Sequence, residues 1–189
     1  AGVGIGWNRT EFESLGAGDR FTRRGAYLEE TIALWRHLWA GGEGPYVGRF
    51  DSFEEGYFSP LPPQGAELPV WIGATAERAL LRAGRIADGY HSTRTDPATM
   101  RERVRIVAGA AAEAGRPRPT MSARLTVDFG GTREGPSILS GTPEEMAARV
   151  RDYADAGTDH LALDFGETDP DMAAKAIERF EREVVPAVE

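Results

Sequence analysis

Short apolar runs alternate along this chain with stretches in which apolar residues recur every three or four positions. The first pattern reads as buried strand, the second as amphipathic helix. Residues 2–6 (Gly-Val-Gly-Ile-Gly) form the first strand. A helix is predicted over 25–39, with Leu28, Ile32, Trp35 and Trp39 on one stripe and Gly41-Gly42 at its end. Residues 43–68 break the rhythm. They are rich in Gly, Pro and aromatics and read as a long excursion with a small hairpin around 46–53.

Regularity returns with a strand at 68–73, a helix over 76–84 and a short strand at 86–91. Asp96-Pro97 opens the next helix, with Asp as N-cap and Pro at the first helical position. Its stripe is Met100, Val104, Val107 and Ala111, and Gly115 closes it. A strand follows over 119–129. Thr142-Pro143-Glu144-Glu145 is a capping box ahead of the stripe Met146, Val150, Tyr153, which ends at Gly157. A strand at 160–165 leads to a last helix opened by Asp169-Pro170, with Ala173, Ile177, Phe180 and Val184 facing inward.

Repeated βα units imply an α/β fold with parallel strands covered by helices. A doubly wound sheet and a barrel both fit. Absence of linkers and repeats predicts a single domain over 1–189 with an insertion at about 43–68. A chain of 189 residues is short for a complete (β/α)₈ barrel, which needs about 250.

Composition removes several chemistries. Net charge is -8 and no basic cluster stands without acids nearby, so no nucleic-acid partner is expected. Zero cysteines exclude disulfides, thiolate metal sites and cysteine nucleophiles. Lys175 is the only lysine and lies in a surface-helix pattern, which disfavours Schiff-base chemistry. No metal-spaced His/Asp cluster, Walker loop or Ser-His-Asp pattern occurs, and no metal is expected. No apolar run reaches membrane-span length and no signal peptide is read, so a cytoplasmic protein without a membrane partner is expected.

Four stretches in order carry a more specific signal. They are Gly2-Val3-Gly4-Ile5-Gly6-Trp7-Asn8 with Glu11-Phe12, and Arg24-Gly25 leading to Leu34-Trp35-Arg36-His37-Leu38-Trp39. Pro69-Val70-Trp71-Ile72-Gly73-Ala74-Thr75 with Ala87-Asp88-Gly89-Tyr90 follows, then Leu139-Ser140-Gly141-Thr142-Pro143-Glu144-Glu145 with Tyr153 to Gly157. Together they resemble the luciferase-like monooxygenase family, in particular its F420-dependent oxidoreductase branch. The resemblance implies a (β/α)₈ TIM barrel of the bacterial-luciferase type, of which this chain supplies the C-terminal part, strands 4–8. Five strands alone leave raw edges. Upstream sequence or a second chain is expected to cover them, and a homodimer is the expected assembly.

Sites of such barrels gather at the C-terminal ends of strands. Gly73, Ala74 and Thr75 join a strand to a helix N-terminus, where free N–H groups and the helix dipole favour an anion. The resemblance makes this the cofactor phosphate site, although Ala74 stands where the family usually has a second glycine. The alternative is that Thr75 merely caps the helix. Gly6, Trp7 and Asn8 are implied beside the cofactor ring, the alternative being a strand-end turn with a core tryptophan. Arg24 matches an arginine that helps neutralise the phosphate in parts of the family. Arg23 leaves the register open, and a surface ion pair with Glu29 or Glu30 is the alternative.

His91 reads as a strand-end histidine satisfied by backbone rather than an acid or base. His37 is assigned to a polar helix face, and His160 to the non-catalytic end of a strand. Tyr46, Phe50, Phe53, Tyr57 and Phe58 either wall a substrate pocket or form the excursion's own core. No catalytic residue is named. The implied activity is oxidoreduction of a small organic substrate with coenzyme F420 (preferred) or FMN. The opposing reading is a non-catalytic flavin- or F420-binding carrier, or a degenerate barrel serving as an assembly partner.

Overall fold

A single carboxylate organises much of the first part of the chain. The computed structural model describes residues 1–188, and packing divides it into two compact units, Ala1–Ile72 and the chain from Gly73 onward. In the first unit β1 (Gly2–Val3) lies parallel to β4 (Trp71–Gly73), with Gly2 opposite Trp71 and Val3 opposite Ile72. Between them come α1 (Arg9–Ser14), a 3₁₀ turn at Gly18–Arg23, α2 (Arg24–Trp39), and the antiparallel hairpin β2 (Tyr46–Val47) and β3 (Ser52–Phe53). The hairpin is where its turn residues predict it.

Glu30 of α2 accepts the backbone N–H groups of Arg49 at 2.7 Å, Phe50 at 2.8 Å and Asp51 at 2.9 Å. It therefore closes the hairpin turn, and is not the free surface acid that the helix pattern suggests. Burial works against its charge, but the three N–H donors and Arg49 outweigh that and hold the carboxyl below its ordinary range. Leu28 and Ile32 are buried as their spacing predicts, while Trp35 and Trp39 stack on each other half-buried, 5.6 Å apart.

The second unit contains α3 (Glu77–Ile86), β5 (Gly89–Ser92), α4 (Pro97–Glu113), β6 (Thr120–Asp128), β7 (Ile138–Ser140), α5 (Pro143–Asp155), β8 (His160–Asp164), α6 (Pro170–Glu183) and α7 (Val185–Val188). β5, β7 and β8 all pair parallel with β6. β5 and β8 flank it on opposite edges, because both pair with Ser122 and Ala123. The caps are those read from sequence. Asp96 and Asp169 accept from backbone N–H groups ahead of a first-turn proline, and Thr142 with Glu145 forms the reciprocal box.

Three expectations need correction. The first strand stops at Val3 rather than residue 6, because Gly6 turns the backbone to φ +71°. β7 is an additional parallel strand; its three residues are too few to show a period. Ile177 does not face a core: it is 50% exposed, and α6 buries only its end, at Phe180 and Val184. Among the described residues no helix is long and apolar enough to cross a membrane.

α3 and α4 pack closely at Gly84. A Cβ on Gly84 would stand 2.3 Å from the Val107 carbonyl oxygen and 2.7 Å from the Ala110 Cβ. Backbone cannot yield as a side-chain tip can. Gly84→Ala is expected to cost about 1–3 kcal/mol through overpacking, read as a lowered urea midpoint.

Candidate functional site

β6 reads Thr-Met-Ser-Ala-Arg-Leu-Thr-Val-Asp. Met121, Ala123, Leu125 and Val127 are buried on one face. The alternate positions, Thr120, Ser122, Arg124, Thr126 and Asp128, are all polar. A parallel strand covered on both sides is usually apolar throughout, so this alternation marks a face that handles polar groups. The register brings His91 of β5 and His160 of β8 beside Ser122. The Ser122 hydroxyl, wholly buried, lies 2.9 Å from Nδ1 of each imidazole. One hydroxyl proton can serve only one ring, so the other ring must donate its own Nδ1–H to Ser122. At least one of the two rings therefore carries a proton on Nδ1. Arg124 and Asp164 form an ion pair on the same face. Desolvation lowers the pKa of His91 below the ordinary value, and the nearby His160 and Arg124 lower it further.

This corrects the sequence reading of His91, whose partner is a neighbouring strand's side chain and not backbone. Ser122 was missed altogether. The signal that could have found it was the polar half of the β6 alternation. Asp128, at the end of the same face, accepts N–H groups from Gly130, Thr132 and Arg133 at 3.1, 2.8 and 2.6 Å and shapes the following turn.

At the end of β4, Gly73 and Thr75 are exposed and Ala74 is half-buried. The N-cap of α3 is Ala76, in extended conformation and without a side-chain cap bond. Thr75 is therefore not the helix cap. α4, α5 and α6 each receive a side-chain oxygen at the same position. Ala79 N–H returns to the Ala76 carbonyl at 2.8 Å, and the N–H groups of Glu77 and Arg78 are left for an external acceptor or water. The Ala74 carbonyl is occupied, accepting the Tyr90 hydroxyl at 2.9 Å.

In the first unit, Arg24 is brought to Gly6. Its Nε donates to the Gly6 carbonyl at 3.1 Å and Nη1 to the Phe21 carbonyl at 2.7 Å, while the guanidinium lies 4.2 Å from the Phe21 ring centroid. Arg23 instead faces Asp19 at 3.8 Å. Glu30 instead accepts the N–H groups of the hairpin turn. Gly6 requires its glycine: φ is +71° and a Cβ would fall 2.8 Å from the Phe12 ring. Trp7 is 84% exposed and is no core residue. Asn8 caps α1, with Oδ1 accepting from Thr10 N at 3.1 Å and Nδ2 donating to Glu11 at 3.0 Å.

His37 is not on a polar face; its ring sits 5.6 Å from Tyr46 and 6.3 Å from Phe53. The aromatics of the excursion divide. Tyr46 stacks on Phe53, and Phe50 meets Tyr27 edge-on, forming the hairpin's core. Tyr57 and Phe58 are exposed and line an open groove of about 380 Å³ with Leu38 and Leu61.

The sequence model of the luciferase-like monooxygenase family matches residues 1–135. An F420-dependent glucose-6-phosphate dehydrogenase of Microbacterium testaceum is 38% identical over 77 residues, 41% of this chain and 21% of that protein. The matched stretch thus spans about a fifth of that relative's length. An F420-dependent secondary alcohol dehydrogenase, solved with an F420-acetone adduct, superposes with a TM-score of 0.81 at 16% identity, covering 100% of this chain and 69% of its own. A type II Baeyer–Villiger monooxygenase of Pseudomonas putida with FMN gives 0.79 at 13% identity, covering 100% and 70%. At such identities these likenesses concern the fold, that of the luciferase-like TIM barrels, of which this chain is a part.

The histidine row has a measurable consequence. The folded state keeps His91 neutral at pH values where the unfolded chain has already taken up a proton, so stability rises with pH in that window. As pH falls through 6.5 toward the lower folded value, stability should decline. His91→Gln should flatten that slope in urea midpoints measured between about pH 7 and 5. An unchanged slope would remove His91 from the account.

Proposed function

The chain belongs to the luciferase-like monooxygenase family, and on that premise we propose that it is the cofactor-holding part of an oxidoreductase that uses coenzyme F420 on a small organic substrate. The observation that carries the reading is the uncapped N-terminus of α3 behind Gly73-Ala74-Thr75. Free N–H groups at a helix start bind phosphate oxygens, and the helix dipole adds to the attraction. The exposed Thr75 hydroxyl supplies a further donor. Preference for F420 over FMN is supported by the 38% identical stretch of an F420-dependent relative. Such a deazaflavin, when bound, exchanges a hydride with the substrate.

The residues of this chain hold and orient. The α3 N-terminus and Thr75 grip the phosphate. In the first unit, Gly6 and the exposed Trp7 suit contact with a planar ring: glycine allows close approach, and the indole offers a flat apolar surface. Arg24 keeps its second terminal nitrogen outside its recorded bonds to Gly6 and Phe21, which leaves it able to face an anionic group. Asn8 contributes through the α1 cap that fixes the chain after Trp7.

Absorbance or fluorescence titration tests the reading. F420 is expected to bind more tightly than FMN. Thr75→Ala should weaken F420 binding about tenfold, the loss of one hydrogen bond to a charged group. Tighter binding of FMN would transfer the assignment to flavin monooxygenation. Binding of neither would sink the enzyme reading, and binding without turnover of any substrate would favour a carrier.

A further inference from the structure

We infer that Tyr90, backed by Arg103, is a positioning residue that aims the N–H of Thr75 at the cofactor's phosphate. The inference rests on the phosphate reading of Gly73-Ala74-Thr75. Its basis is peptide geometry. In a trans peptide the carbonyl of one residue and the N–H of the next point in opposite directions within one plane. The Tyr90 hydroxyl holds the Ala74 carbonyl at 2.9 Å. Tyr90 is wholly buried. Pinning that carbonyl inward turns the Thr75 N–H outward, toward the exposed side of the turn where Gly73 and Thr75 lie. Without the bond the plane could rotate, and a carbonyl oxygen facing the phosphate would repel it.

Tyr90 is itself held. Nη1 of Arg103, on α4, donates to the Ser92 and Thr95 hydroxyl oxygens at 2.7 Å each and approaches the Tyr90 oxygen at 3.5 Å. Ser92 and Thr95 are joined at 2.5 Å, and both are buried. The recorded partners of Arg103 are three hydroxyl oxygens and no carboxylate. A cation beside the phenol oxygen polarises the O–H and strengthens its bond to Ala74. The same charge, uncancelled by an acid, adds to the attraction for an anion at the turn.

The test compares cofactors with and without their phosphate in the intact protein: F420 against its phosphate-free deazariboflavin, and FMN against riboflavin. Tyr90→Phe keeps the ring and removes the hydroxyl. It should weaken binding of the phosphate-bearing form about three- to tenfold, leaving the phosphate-free form unchanged and the melting cooperative. Equal losses for both forms would show a general structural role and overturn the inference, as would no loss for either. If Tyr90→Phe does not fold, Arg103→Gln should show the same selective loss, smaller in size, and its absence overturns the inference equally. Wild-type protein that binds neither phosphate-bearing form refutes the proposed function, and this inference with it. Wild-type binding that Tyr90→Phe leaves intact refutes only the inference.

Discussion

All the described parallel pairings within the second unit are made to one strand, β6. Its nine residues must satisfy two demands at once. Met121, Ala123, Leu125 and Val127 fill the buried face, where apolar burial stabilises by about 25 cal/mol per Å². Between them, Ser122 and Arg124 meet polar partners from β5 and β8. A slip of one residue in β6 would exchange the two faces. Apolar side chains would then face His91 and His160, and polar ones would enter the core. The alternation thus fixes the register, and the register builds the His91–Ser122–His160 row.

The buried face of the same sheet also prepares the turn that carries the functional reading. Tyr90 and Ser92 alternate with His91 along β5, so they point opposite to the histidine row. There they meet Arg103 and, through the Tyr90 hydroxyl, the Ala74 carbonyl. One strand of four residues thereby serves two polar networks, one on each face. The first unit is governed by a comparable economy of groups. Glu30 closes the hairpin turn through three backbone N–H groups, and Arg24 ties the chain after β1 to the start of α2.

The sequence by itself determined the elements and their order, because those signals are local. Asp96, Thr142 and Asp169 cap the N–H groups two or three residues away, and such caps can be read from a few adjacent letters. The hairpin at 46–53, the stripe of α2 and the βα alternation were legible for the same reason. So was the family, from motifs that keep their order. The turn at Gly73-Ala74-Thr75 could be singled out, since strand, glycine and helix start lie side by side in the chain.

Only the tertiary structure decided what those groups meet. His91 and His160 reach Ser122 across separations of 31 and 38 residues, through a strand register that no single segment encodes. Glu30 leaves its apparent surface role because a hairpin some 20 residues onward folds back onto it. Thr75 is freed from capping by the backbone path at Ala76, and the Ala74 carbonyl is turned inward by a tyrosine 16 residues later. Hydrogen bonds need partners within about 3 Å. Sequence specifies which donors and acceptors exist, and folding alone brings them to that distance.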